Sequence, residues 1–119
     1  MRTILLVEDD LDLRDLLNMT LTARGYLVLL ASNGCEALGH LGQSAVDLIL
    51  TDFNMPDMDG GTLLKAVKAL GSTIPMIMIS ACQVSNEYCD EFISKPFDLN
   101  QLLIAIDEFL ALDSQAYSA

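Results

Sequence analysis

The sequence predicts one α/β domain built on a five-stranded parallel sheet, doubly wound by helices on both faces. Three observations carry this prediction. Short apolar runs without polar alternation recur along the chain, as strands buried on both faces require. Leucines at helical spacing fill the gaps between the runs, which is the pattern of crossover helices. The chain has 119 residues, which suits one domain with one ordinary core.

The elements follow in order. Ile4-Leu5-Leu6-Val7 stops at Glu8-Asp9-Asp10 and reads as the first strand. Leu13, Leu16, Leu17 and Leu21 predict a helix that Gly25 stops. Tyr26–Ala31 is the second strand, and Ala37, Leu38 and Leu41 give a short helix after Gly34. Leu48-Ile49-Leu50 is the third strand, entered from Asp47 and left at Asp52. Leu63, Leu64 and Val67 mark a helix ending near Gly71. Pro75–Ile79 is the fourth strand and Phe92-Ile93 a short fifth. Asp98 opens the last helix, with Leu99, Leu102, Leu103, Ile106 and Leu110 on one face. Asp98 and Gln101 stand at capping-box spacing, and Phe97 is placed to staple to Leu102. The domain is expected over residues 1–112, with a short frayed tail over 113–119.

Composition narrows the partners. Seventeen acidic against six basic residues give a formal charge of −11. That balance excludes nucleic acid, whose phosphates need Lys and Arg, and anionic lipid. It suits a divalent cation where carboxylates converge. Cys35, Cys82 and Cys89 are odd in number and lack a metal spacing, so they read as buried or half-buried free thiols. No apolar run reaches the ~20 residues of a membrane span or the roughly 7–15 of a secretion signal. The expected location is the cytoplasm.

In a sheet of this kind the site lies outside the carboxyl ends of the strands. Strand one ends in Glu8-Asp9-Asp10, strand three in Asp52, strand four in Ser80 and strand five in Lys95-Pro96. Carboxylates, a hydroxyl and an ammonium are thereby drawn to one edge. Clustered carboxylates repel, and a hard cation such as Mg²⁺ holds them while keeping positions open for phosphate. An Asp is also a competent nucleophile for an acyl phosphate. The metal neutralises and orients the phosphoryl group, with Lys95 and Ser80 placed for two of its oxygens. Asp10 reads as the cap of the first helix. His40, the only histidine, reads as a surface residue rather than a phosphoryl carrier.

These residues resemble a family, the receiver domain of two-component response regulators, from about Arg2 to Leu112. The likeness rests on Ile4–Asp10, on Leu48–Gly60 with its Asp52-Phe53-Asn54-Met55-Pro56-Asp57-Met58-Asp59-Gly60 run, on Ile77–Ala81 and on Phe92–Phe97. It implies a flavodoxin-like sheet in the order 2-1-3-4-5. It implies Asp52 as phosphoacceptor, Asp9 as a direct Mg²⁺ ligand, Glu8 as one through water, and Asn54 as a backbone carbonyl ligand. Ser80 then matches the switch hydroxyl, Lys95 the phosphate-pairing lysine in a usually cis Lys-Pro bond, and Phe92 the switch aromatic. Pro56 is expected to stiffen the loop and Gly60 to permit an unusual backbone angle.

One stretch departs from the family. Fourteen residues separate Ser80 from Lys95, shorter than usual. With strand five at about Glu91–Ser94, ten residues from Ala81 to Asp90 must serve as the crossover, too few for a full helix and its connections. The fourth helix of the family is therefore expected to be vestigial or missing, with at most a turn or two near Ser85–Cys89. The leading functional expectation is a signalling receiver, standing alone or cut from a longer protein. Its partners would be a sensor histidine kinase or histidine phosphotransfer protein, an unknown downstream protein and a second copy of the chain. The alternative is a receiver-like interaction or dimerisation module with altered or lost phosphorylation control. A phosphatase is disfavoured, because the position two residues after Asp52 is Asn54 rather than an acid.

Overall fold

The computed structural model describes the backbone of residues 1–81 and 89–118 and the side chains of residues 1–81 and 89–111. Five strands and four helices are present there. They are β1 (Thr3–Val7), α1 (Leu11–Ala23), β2 (Leu27–Ala31), α2 (Gly34–Gln43), β3 (Leu48–Asp52), α3 (Gly60–Ala69), β4 (Met76–Ser80), β5 (Glu91–Ser94) and α4 (Leu99–Ser118). The sheet order is β2-β1-β3-β4-β5, with every pair parallel. The predicted order and fold class stand. The predicted short helix within Ala81–Asp90 falls mainly on residues outside those described.

The sheet's period of two sorts the core into two halves. Ile4, Leu6, Leu48, Leu50, Ile77, Ile79 and Ile93 meet Leu17 and Leu21 of α1 and Leu102, Leu103, Ile106 and Leu110 of α4. On the other face Leu5, Val7, Ile49, Met76 and Met78 meet Ala37 of α2 and Leu63, Leu64 and Val67 of α3. β1, β3 and β4 are buried along their whole length, whereas the outer strands β2 and β5 are exposed in part. That is why the three central strands lack alternation.

Helix ends follow local chemistry. Asp10 caps α1 by accepting from the Asp12 and Leu13 N–H groups, Asn33 caps α2 and Asp59 caps α3. Gly25 and Gly71 take positive φ beyond α1 and α3, where a side chain would be strained. Asp98 accepts from Asn100 N–H at the start of α4. Along α4, Asp107 pairs with Arg24 and accepts the Tyr26 hydroxyl, tying the helix to the α1–β2 turn. Burial first, then the Asp107 carboxylate, push that hydroxyl up to about 12.

α4 runs to Ser118, and no Gly or Pro interrupts residues 99–118. Three expectations need correction. Tyr26 precedes β2 rather than opening it, its hydroxyl being engaged by Asp107. Cys35 is exposed, because it occupies the first turn of α2, while Cys89 is half-buried and Cys82 lies outside the described residues. Gly60 does not take a positive φ. It is needed for space, since a Cβ there would stand 3.1 Å from both the Asp52 carbonyl oxygen and Phe53 Cα. No helix among the described residues is long and apolar enough to cross a membrane.

Candidate functional site

Parallel strands deliver their carboxyl ends to one edge, and there the predicted acids meet. Val7 of β1 pairs with Thr51 of β3, so Glu8, Asp9 and Asp52 emerge side by side. One carboxylate oxygen from each lies within 4.8 Å of the others. Glu8 is 1% exposed and Asp52 7%, while Asp9 faces solvent. Glu8 is aimed by its neighbours: its N–H donates to Ala31 O at 3.0 Å, and its Oε2 accepts from Asp10 N–H at 3.1 Å. Asp10 itself points to the helix cap, as its position suggested.

Ser80 ends β4 opposite Ser94 of β5 and is fully buried. The Lys95 N–H donates to Ser80 O at 2.8 Å, which carries the strand pairing one step further and turns the lysine over the site. Lys95 Nζ stands 3.4 Å from Asp52 Oδ1. The contact is an ion pair and not a closed hydrogen bond, for Asp52 Oδ1 is buried without a hydrogen-bond partner. The Lys95–Pro96 bond is cis. Beside it a cleft of about 540 Å³ opens between Asp10, Leu13, Ala81, Lys95, Pro96 and Phe97. Phe92 lies two residues before the end of β5, opposite Met78, half-buried against the α2 and α3 side of the core. Asn54 is exposed in the loop after Asp52.

Two further supports emerge in the structure. Thr51, fully buried, donates its hydroxyl to the Asp52 carbonyl at 2.9 Å. Asp57 binds the start of α2 from the loop after Asp52. A buried Thr inside an apolar strand was a visible signal for the first. The second has no local signal, because its partners lie 22 and 23 residues away.

Among the described residues three carboxylates around one ammonium leave an excess of negative charge. Burial raises the Glu8 carboxyl, the Asp10 N–H offsets part of that, and the Asp52 carboxylate pushes it up again, to about 7. Burial likewise raises Asp52, against the pull of Lys95. The donor set is all oxygen, and one buried oxygen lacks a partner. Both features fit a hard divalent cation such as Mg²⁺.

Comparison with known proteins agrees. The model of the response regulator receiver domain family matches residues 4–107. The chain is 34% identical over 118 residues to sporulation initiation phosphotransferase F of Bacillus subtilis, covering 93% of this chain and 95% of that protein. It is 33% identical over 120 residues to the transcriptional regulatory protein GlrR of Escherichia coli, covering 95% of this chain. It spans only 27% of GlrR's length. The crystal structure of response regulator TrrA from Thermotoga maritima, in complex with Mg²⁺-BeF, superimposes with a TM-score of 0.83 at 27% identity, over 92% of this chain and 99% of that one. Receiver domains bind Mg²⁺ at an acidic cluster of the kind that Glu8, Asp9 and Asp52 form. Sheet order, acidic edge and sequence likeness converge, and the chain belongs to the response regulator receiver domain family of two-component signalling.

Proposed function

We propose that this domain, over residues 1–112, accepts a phosphoryl group on Asp52 from a phosphohistidine of a sensor kinase or phosphotransfer protein. The observation that carries the reading is the buried Asp52 Oδ1, which lacks a hydrogen-bond partner and stands 3.4 Å from Lys95 Nζ beside Glu8 and Asp9. An Asp52 oxygen forms the new bond to phosphorus as the P–N bond breaks, and the electron pair leaves on the donor imidazole. Asp52 and Asp9, Glu8 through water and the Asn54 carbonyl would hold Mg²⁺, which would supply charge neutralisation on the phosphoryl oxygens. Lys95 gives up its pairing with the free carboxylate and takes one oxygen of the acyl phosphate. The Ser80 hydroxyl donates to another, and Phe92 follows the resulting shift of β4 and β5. The domain turns over no separate substrate; it carries the group, loses it slowly to water and alters a surface for a downstream protein.

Intact-mass measurement with a small phosphodonor tests this. One phosphoryl group per chain is expected in Mg²⁺ and none in chelator. Asp52→Asn removes it, because an amide is a poor nucleophile and a weaker metal ligand. Undiminished phosphorylation of Asp52→Asn would sink the assignment.

A further inference from the structure

The loop from Phe53 to Asp59 is held at its far end by a carboxylate that the chemistry above does not use. Asp57 Oδ1 accepts from the Gly34 N–H at 3.0 Å and from the Met58 N–H at 2.8 Å. Its Oδ2 accepts from the Cys35 N–H at 2.9 Å. Gly34 and Cys35 open α2, so their N–H groups have no partner within the helix. Asn33 takes only the Glu36 N–H, at 2.8 Å. The cap of α2 is thus shared between its own N-cap and a loop from another part of the chain. Met58 closes the contact, because a Cβ on Gly34 would stand 2.4 Å from Met58 Cγ. Desolvation acts to raise the Asp57 carboxyl, but the Cys35, Gly34 and Met58 N–H groups outweigh it and hold it at about 2. The other end of the loop is fixed too: Phe53 N–H donates to Ile79 O at 2.8 Å and Gly60 N–H to Phe53 O at 2.6 Å. Asn54 lies between these anchors.

We propose that Asp57 is a positioning residue for the phosphoacceptor pocket: by fastening the loop to α2 it fixes the backbone at Asn54 for the divalent cation and couples α2 to the pocket. The inference rests on the Mg²⁺-dependent reading of Asp52. A loop ordered in advance loses less freedom when a ligand binds. Such coupling is reciprocal, so the cation must tighten the contact as much as the contact favours the cation.

The experiment uses the whole chain and Mg²⁺ alone as probe, with calorimetric titration and amide hydrogen exchange. Mg²⁺ is expected to slow exchange at the Gly34 and Cys35 amides. Asp57→Ala is expected to weaken Mg²⁺ binding at least about fivefold, and Asp57→Asn, which keeps one acceptor oxygen, to recover part of the loss. Gly34→Ala, which disturbs the same contact from the helix side, should weaken Mg²⁺ as well. A merely structural role gives a lower unfolding midpoint, an unchanged Mg²⁺ affinity in the folded variants and no effect of Mg²⁺ on the two amides. That result overturns the inference and leaves the Asp52 chemistry standing. Where Asp57→Ala does not fold, the wild-type exchange and the Asp57→Asn titration decide. A wild-type chain that binds no Mg²⁺ overturns the reading of the pocket and this inference with it.

Discussion

Glu8 offers the sharpest quantitative prediction. Its carboxyl titrates at 4.5 when unperturbed and at about 7 in the folded, metal-free pocket. Between those values the folded chain holds a proton that the unfolded chain has released, so stability falls as pH rises. This contribution is fully lost above the folded value and fully present below the unfolded one. At ~1.36 kcal/mol per pH unit of separation the swing approaches about 3 kcal/mol, an upper limit because Asp52 and Lys95 titrate in the same field. Asp52 is raised as well and acts with the same sign. The assay is urea unfolding followed by far-ultraviolet circular dichroism, in chelator, from about pH 5 to 8. The wild type should lose stability across that window. Glu8→Gln, which cannot ionise, should lose most of the slope and exceed the wild type at the alkaline end. Millimolar Mg²⁺ should flatten the wild-type slope, because the cation favours the ionised form. Parallel wild-type and Glu8→Gln curves in chelator would refute the reasoning.

Other expectations follow from the same geometry. Added Mg²⁺ should raise the melting temperature by mass action, and Asp9→Asn should abolish most of the rise, since Asp9 is the exposed member of the carboxylate cluster. Lys95→Ala should still take up a phosphoryl group on Asp52, yet hydrogen exchange should show no response to beryllofluoride, because the lysine pairs with the group after it arrives. Gly60→Ala should destabilise by about 1–3 kcal/mol in denaturant, since the atoms its Cβ meets belong to the Asp52 and Phe53 backbone and cannot rotate away.

How much could be read from the sequence depended on how local each cause was. The three central strands were legible because burial on both faces leaves a bare apolar run, and the site was legible because strand ends in such a sheet share an edge. Asp10 declared itself as a cap by preceding a helical pattern. The outer strands were harder, as Tyr26 shows: an aromatic beside an apolar run counts as strand until its hydroxyl finds Asp107. At Gly60 the cause is hidden, because close approach to the Asp52 backbone leaves no mark in sequence that differs from a need for positive φ. Asp57 gives no sign of its role in the sequence, since a carboxylate that caps a helix 22 residues upstream has no spacing rule to reveal it.

The pocket is built against its own stability. Glu8 is buried beside Asp52, and the Asp52 Oδ1 keeps no hydrogen bond of its own. Among the described residues Lys95 is the cation placed against Asp52, at 3.4 Å, and a single ammonium cannot balance three carboxylates. Adding a phosphoryl group to that edge would add more negative charge to a site already in excess. Phosphorylation without a divalent cation is therefore opposed by the same repulsion that raises Glu8. A bound divalent cation would cancel the excess and would leave Lys95 free to pair with the new group. The strain in the free pocket and the metal requirement proposed for the chemistry thus have one electrostatic origin. A variant that relaxes the first, such as Glu8→Gln, should weaken the second.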